Sequence, residues 1–89
     1  MTETRYLDSE WAERNITRKD IDYVLRSPVW EDMGPSHRGN DRLMFVGFDS
    51  SGRLLEVGLE YINDEDVEFI FHANYATPQY ENLYTRSRQ

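Results

Sequence analysis

Apolar and polar residues alternate along the middle of the chain and predict three strands, Arg42–Phe48, Arg53–Ile62 and Asp66–His72. The connecting segments Asp49–Gly52 and Asn63–Asp66 are short and polar, as hairpin loops are. Because side chains alternate between the two faces of a strand, each run divides into an apolar set and a mixed set. The pattern predicts an antiparallel meander that packs on one face and is partly open on the other.

The apolar face of this meander is expected to form the core, and no helix is expected within residues 54–61. Six residues should be mostly buried: Phe45, Leu55, Val57, Leu59, Phe69 and Phe71. On the third strand, His72 shares the mixed face with Glu68 and Ile70, so any chemistry is expected there.

Two helices are predicted before the meander. Asp8 can cap a short helix Ser9–Arg14, with Trp11 facing the core and Asn15 ending it in a left-handed conformation. In the second helix Thr17 and Asp20 are spaced as a capping box, and Ile16 and Ile21 as a hydrophobic staple. Its apolar face consists of Ile21, Val24 and Leu25, and the helix should end at Ser27-Pro28.

The remaining segments complete an α+β arrangement. Val29–Met33 predicts a short edge strand and Gly34–Asp41 a polar loop. Thr77 and Pro78 predict the start of a final helix. That helix would carry Tyr80, Leu83 and Tyr84 on one face. The expected fold therefore has two N-terminal helices, an antiparallel sheet of three to four strands and a C-terminal helix.

Composition narrows the class of protein. The 89 residues suit one small domain spanning 1–89, and the absence of cysteine excludes disulfides and thiolate metal sites. No apolar run reaches the roughly 18 residues of a membrane span, and no signal or transit peptide is recognisable. These features predict a cytoplasmic protein. A net charge of −7 argues against strong unassisted binding to nucleic acid, which depends on Lys and Arg.

Several segments together resemble one known family: Ile16-Thr17 through Ser27-Pro28, Arg42–Gly47, Gly52–Leu55, Phe69–Thr77 and Leu83-Tyr84. Over roughly residues 6 to 84 the chain resembles the BrnT family, the toxins of type II toxin–antitoxin modules, which have a RelE-like ribonuclease fold. The resemblance implies a metal-independent endoribonuclease that acts on messenger RNA, needs no cofactor and is neutralised by a cognate antitoxin.

The most specific part of the resemblance is the passage from the third strand to the last helix. Family members usually have Ala-Arg-x-Ala-Thr there, followed by a basic helix that ends in Leu-Tyr. This chain keeps Ala73, Ala76, Thr77, Leu83 and Tyr84 in register. It departs from the pattern at Asn74, which stands in place of the Arg, and in the less basic helix.

Metal-independent RNA cleavage requires a base, an acid and cations that stabilise the phosphorane charge. The resemblance implies that Arg42 and Arg53 are phosphate clamps and that Tyr84 belongs to the site. His72 is the acid–base candidate, and Glu60 could pair with an Arg or act as a base. The candidate substrate-binding residues are Arg38, His37 and Asn74.

Each candidate also has a structural interpretation. Arg53 could be a solvated hairpin residue, and Arg42 could pair with Asp41 or a sheet glutamate. His72 could only hydrogen-bond the chain at a strand end, and helical spacing alone predicts burial of Leu83 and Tyr84. The acidic residues Glu56, Glu60 and Glu68 fit a solvated face better than a metal site.

The acidic composition and Asn74 support an alternative function. In that alternative, the chain is a non-catalytic descendant of the same fold that binds a protein partner through the mixed face. The matches at Arg42, Arg53 and Tyr84 favour the enzyme instead.

Overall fold

In a computed structural model, five strands form a single mixed sheet, and the structure describes residues 2–37 and 39–78. The strands are β1 (Glu3–Tyr6), β2 (Trp30–His37), β3 (Asn40–Phe48), β4 (Leu54–Ile62) and β5 (Val67–Tyr75). Their order across the sheet is β1-β5-β4-β3-β2. Between β1 and β2 lie α1 (Asp8–Trp11), a 3₁₀ turn (Ala12–Arg14) and α2 (Arg18–Arg26).

The predicted meander is confirmed, because β3, β4 and β5 pair in antiparallel succession and β4 has no helix within residues 54–61. The predicted strand number is wrong, since the sheet has five strands and one pair is parallel. The missed strand is β1, which pairs with β5 from Glu3 opposite Val67 to Tyr6 opposite Ile70. It has three exposed residues in a row and no apolar alternation, so backbone pairing rather than side-chain pattern defines it.

The polar loop predicted for Gly34–Asp41 is also wrong. Strand β2 continues to His37, and β3 begins at Asn40, so the two strands form a longer hairpin with an irregular register between Gly34 and His37. An edge strand pairs on one side only and can be polar on its exposed face, which hides it from a search for hydrophobic alternation.

The predicted capping of α2 is confirmed, and of the two predicted ends of the first helix only the left-handed Asn15 is confirmed. The Thr17 backbone N–H donates to Asp20 Oδ2 at 2.8 Å, and the Asp20 N–H donates to Thr17 Oγ1 at 3.2 Å, which completes the capping box. Asn15 is left-handed, with φ of 57°. Asp8 is not a cap, because α1 begins at Asp8 itself and Leu7 precedes it; the Asp8 carboxylate instead binds Arg18 at 2.6 Å.

The helices α1 and α2 cover one face of the sheet, called here the helix side. The opposite face, which neither of these two helices covers, is called the open face. Helix residues of the core are Trp11, Ile21 and Val24; sheet residues are Leu55, Val57, Leu59, Ile70 and Ala73. The end of α2 approaches β3 closely at Gly47, where an added Cβ would lie 3.2 Å from Val24 and 3.3 Å from the Pro28 backbone.

The face assignment of β5 needs correction. Gly58 pairs with His72 but Leu59 pairs with Ile70, so Phe71 is an extra residue in β5. This bulge puts Ile70 and Ala73 in the core, whereas Phe71 is half-buried on the open face. Phe69, which pairs with Glu60, lies on the open face too, and Phe45 is half-buried beside the core. Of the six predicted core residues, Leu55, Val57 and Leu59 are buried.

The predicted final helix falls almost wholly on residues 79–89, outside the described part of the chain. The segment just before it is held by two hydrogen bonds from backbone N–H groups. Ala76 donates to the Leu54 carbonyl at 3.0 Å, and Thr77 donates to the Glu56 carboxylate at 2.7 Å. Within residues 2–37 and 39–78, no helix is long and apolar enough to cross a membrane.

Candidate functional site

A shallow cavity of about 310 Å³ lies on the open face of the sheet. Its lining residues come from three strands: Gly34, Arg42, Met44, Phe71 and His72. Register explains why they meet, because Gly34 pairs with Arg42, and Met44 and His72 flank Gly58 on its two sides. The cavity therefore brings together two of the predicted catalytic residues, Arg42 and His72.

Gly58 provides the space in which the Phe71 ring lies. A Cβ built on Gly58 would be 2.8 Å from Phe71 Cζ, closer than real Cβ atoms approach a neighbour, and 3.1 Å from His72 Cβ, which is a tight contact. Any larger residue at this position would displace the ring. The bulge aims Phe71 at the open face, and the missing Cβ lets its ring lie over the sheet.

Arg42 stacks on this ring, with its guanidinium carbon 4.4 Å from the Phe71 ring centroid. A cation over an aromatic face is stabilised by the ring quadrupole. Among the described residues Arg42 makes no ion pair, and its cross-strand neighbour Glu60 has a buried Oε1 without a hydrogen-bond partner there. The ring of Phe71 thus lies against the guanidinium, and no carboxylate in the described ranges neutralises it.

His72 lies between two carboxylates. Its Nδ1 is 2.8 Å from Glu10 Oε1 and its Nε2 is 2.7 Å from Glu56 Oε2. An ionised carboxylate only accepts hydrogen bonds, so in the doubly protonated form His72 donates to both partners. Glu56 is 5% exposed, and its second oxygen accepts the Thr77 N–H. The contacts fix the ring rather than leaving it free in the cavity.

Glu10 also bonds the backbone of β5 in the part of that strand that β1 does not reach. The pairing with β1 ends at Ile70. Further along β5, the Ala73 N–H donates to Glu10 Oε2 at 3.1 Å, and the Ala73 carbonyl accepts from Arg14 at 2.9 Å. Glu10 and Arg14 pair at 2.8 Å. Burial opposes ionisation of Glu10, but the bonds from Arg14, Ala73 and His72 outweigh it and lower the pKa of this carboxyl. Sequence reasoning missed this role; the four-residue spacing of Glu10 and Arg14 was its only signal.

Arg53 occupies a different part of the molecule, on the helix side. Its Nε binds Asp49 Oδ2 at 2.5 Å, and its terminal nitrogens reach Asp20 at 3.2 Å, the Asn15 carbonyl at 2.9 Å and the Tyr75 hydroxyl at 3.3 Å. The Arg53 guanidinium thereby ties the β3–β4 hairpin to the N-terminus of α2 and to β5.

Asp49 is the buried partner in that cluster, with 3% exposure. Its Oδ1 accepts from the backbone N–H groups of Ser51 and Arg53 and from the Ser51 hydroxyl, at 2.8–2.9 Å. Burial alone would raise the pKa of Asp49, but these bonds and the Arg53 guanidinium lower it. The Asp49 hydrogen bond in turn raises the pKa of Arg53.

The other predicted site residues are not assembled around the cavity. Asn74 is half-buried opposite Glu56, and its Oδ1 accepts the Tyr75 N–H at 2.8 Å. His37 pairs with Asn40 at the end of β2 through the backbone. Arg38 and Tyr84 lie outside the described residues. The structure therefore does not bring Arg42 and Arg53 into one basic site. No group of three potential metal ligands occurs within the described ranges.

Comparison with known proteins adds no relative. No protein-family model matches the chain, and no curated protein matches it either.

Proposed function

We propose that this protein is a cytoplasmic toxin of a type II toxin–antitoxin pair and acts as a metal-independent endoribonuclease on messenger RNA. The resemblance to the BrnT family suggested this activity. The observation that carries it is the open-face cavity, where Arg42, which makes no ion pair within residues 2–37 and 39–78, lies beside His72. A cation and a titratable ring at one cavity are two of the groups that the reaction requires.

The proposed reaction is attack of the ribose 2′-oxygen on the adjacent phosphorus. A base removes the 2′-proton, the bond from phosphorus to the 5′-oxygen breaks, and that oxygen leaves with a proton. The products are a 2′,3′-cyclic phosphate and a 5′-hydroxyl. Arg42 binds the phosphate and stabilises the phosphorane charge. His72 donates the proton to the leaving oxygen, exchanging one carboxylate contact for it, and Glu60 is the candidate base.

Two experiments test this proposal. Expression without the antitoxin should arrest growth, and the purified protein should cleave RNA in excess chelator. Arg42→Ala should relieve the growth arrest and reduce cleavage about 10²- to 10³-fold while the protein stays folded. Arg26→Ala is the matched control, because Arg26 is an exposed arginine on α2, away from the cavity. Intact RNA after incubation with the folded wild-type protein would contradict the proposal.

A second function is supported by a specific observation: both ring nitrogens of His72 are already bound to carboxylates. With Arg53 also tied to acidic partners, Arg42 is the one predicted catalytic side chain in the described ranges that remains free of ion pairs. A site with one free cation suits binding without cleavage. In that case the protein leaves RNA intact, and Met44→Glu weakens binding of the antitoxin encoded by the adjacent gene.

A further inference from the structure

We propose that Arg42, stacked on Phe71, forms a platform for one unstacked base of single-stranded RNA. This inference rests on the proposed function and specifies which part of the RNA the cavity takes. The guanidinium is planar, and its central carbon lies over the Phe71 ring, 4.4 Å from the ring centroid. The same side chain lines the cavity, so the proposed base lies on the side of the guanidinium that is turned away from the ring.

The platform is built by features with no other evident role on the open face. The bulge in β5 places Phe71 there, and Gly58 leaves room for its ring. The half-buried ring of Phe71 then lies beneath the half-buried guanidinium of Arg42 and leaves its charge in place. An arginine that served only as a counter-ion for a carboxylate would pair with Glu60, its cross-strand neighbour; the buried Oε1 of Glu60 instead has no hydrogen-bond partner among the described residues.

The chemistry of the cavity selects a planar ligand that carries negative charge beside it. Met44 and the ring of Phe71 supply apolar walls, and Arg42 supplies both a flat surface and N–H donors. At the other end, His72 is bonded to the carboxylates of Glu10 and Glu56, so the negative charge of a ligand is best placed at Arg42. A nucleobase on the guanidinium, with its own phosphate at the Arg42 N–H groups, meets both conditions. Bases stack on arginine planes in many RNA complexes.

The test compares short fluorescent RNA oligonucleotides with and without one base. Each carries 2′-O-methyl groups, which block the cleavage nucleophile, and the abasic version has the same phosphates. By anisotropy at fixed salt, removing the base should weaken binding to the wild-type protein about 10-fold, as stacking contributions of this size imply. Equal binding of the two oligonucleotides would overturn the inference.

Three variants test whether the effect of removing the base depends on the contact between Arg42 and Phe71. Arg42→Lys keeps the charge but loses the plane, and Phe71→Leu keeps an apolar side chain but loses the ring. Gly58→Ala changes neither residue but brings a Cβ to 2.8 Å from Phe71 Cζ and must displace the ring. In each variant the difference between the two oligonucleotides should shrink to within 2-fold or so, whereas Arg26→Ala should retain it. Persistence of the full difference in all three variants would place the base elsewhere and overturn the inference.

A measurement independent of RNA cleavage separates this inference from the proposed function. Adenosine monophosphate titrated into labelled protein should shift the backbone amide signals of Gly58 and Phe71. If these signals move but RNA is never cut, the platform stands and the ribonuclease proposal fails. If RNA is cut but neither the nucleotide nor the missing base has any effect, the platform fails and the ribonuclease proposal stands. Signals that move only with the antitoxin protein would overturn the platform.

Discussion

The two faces of the sheet each carry one of the arginines predicted as phosphate clamps, and they hold it in opposite ways. On the helix side, Arg53 is surrounded by acceptors, including the buried carboxylate of Asp49. On the open face, Arg42 lies on the ring of Phe71 and has no ion pair in the described ranges. The two arginines thus differ in their partners: Arg53 binds carboxylates, whereas Arg42 contacts an aromatic ring.

The comparison extends to a pair of glycines. At Gly47 the missing side chain lets the end of α2 approach the helix side, while at Gly58 it lets Phe71 lie on the open face. The first close approach joins two parts of the core. The second positions a side chain that faces a cavity. The proposed RNA binding therefore uses the open face, whereas the close approach on the helix side serves the packing of the core.

The largest expected effect is on the open face. Arg42→Ala should reduce the proposed RNA cleavage about 10²- to 10³-fold, the usual cost of losing one donor that stabilises developing charge. Its free energy of unfolding should fall by less than about 1 kcal/mol, because only a cation–π contact is lost. Single-turnover cleavage and urea unfolding measure the two quantities. A large loss of stability would mean that the two faces do not differ as described.

Arg53→Ala should lower stability strongly and leave RNA cleavage unchanged, the reverse of Arg42→Ala. Removing the guanidinium leaves Asp49 buried with only its other donors and should lower the free energy of unfolding by about 2–3 kcal/mol. For a domain of this size that corresponds to a melting temperature lower by roughly 10–20 °C. RNA cleavage, assayed where the variant is still folded, should be unchanged. Arg53→Lys keeps the charge but not the forked geometry, so its free energy of unfolding should lie between those of the wild type and Arg53→Ala.

Loss of cleavage in Arg53→Ala at unchanged stability would contradict this expectation. It would restore the interpretation of Arg53 as a phosphate clamp, which the sequence alone suggested.

The meander and the capped helix were predictable because each has a strong local signal: alternation in Leu54–Ile62, and the reciprocal Thr17 and Asp20 contacts. The edge strands were predictable only in part: the expected strand Val29–Met33 covers the first half of β2, but the extension of β2 to His37 and the whole of β1 were missed. Strand β1 lacks alternation and owes its conformation to pairing with the distant strand β5. The bulge at Phe71 escaped prediction for another reason. Alternation assumes an unbroken register, and one extra residue reverses the faces of everything before it.

At the candidate site, the sequence identified Arg42 and His72 but not their partners. Phe71 was expected in the core, and Glu10 lies 62 positions from His72. Contacts between such distant residues depend on how α1 packs beside β5, which no local pattern encodes.

Acid should weaken the cluster of Asp49 and Arg53 on the helix side. The pKa of Asp49 is lowered in the folded protein, so Asp49 contributes stability above its ordinary pKa and loses it as the pH falls through the folded value. The lowered pKa of Glu10 acts in the same direction. Melting temperatures between pH 5 and pH 2 should therefore fall less steeply in Asp49→Asn than in the wild type. Asp64→Asn, in an exposed turn, is the matched control; an equally shallow slope in that control would argue against a special role for Asp49.

The smallest effect concerns Tyr6, which joins β1 to α2 on the helix side through a 2.6 Å hydrogen bond to Asp22. Burial and this bond raise the pKa of Tyr6 to about 12. The contribution of Tyr6 is therefore complete below about pH 10, the ordinary tyrosine value, and is lost as the pH rises towards 12. Tyr6→Phe should cost about 1 kcal/mol of unfolding free energy at neutral pH.

The same substitution should make stability less dependent on pH between 10 and 12, as urea unfolding across that range can measure. A remaining slope is expected from Tyr61, whose pKa is raised by its hydrogen bond to Asp66. The Arg18 guanidinium, 4.5 Å from the Tyr6 ring centroid, should still find an aromatic face in Tyr6→Phe. Because this contact lies on the helix side, RNA binding at neutral pH should not change. A variant as stable as the wild type but impaired in RNA binding would break the division of roles between the two faces.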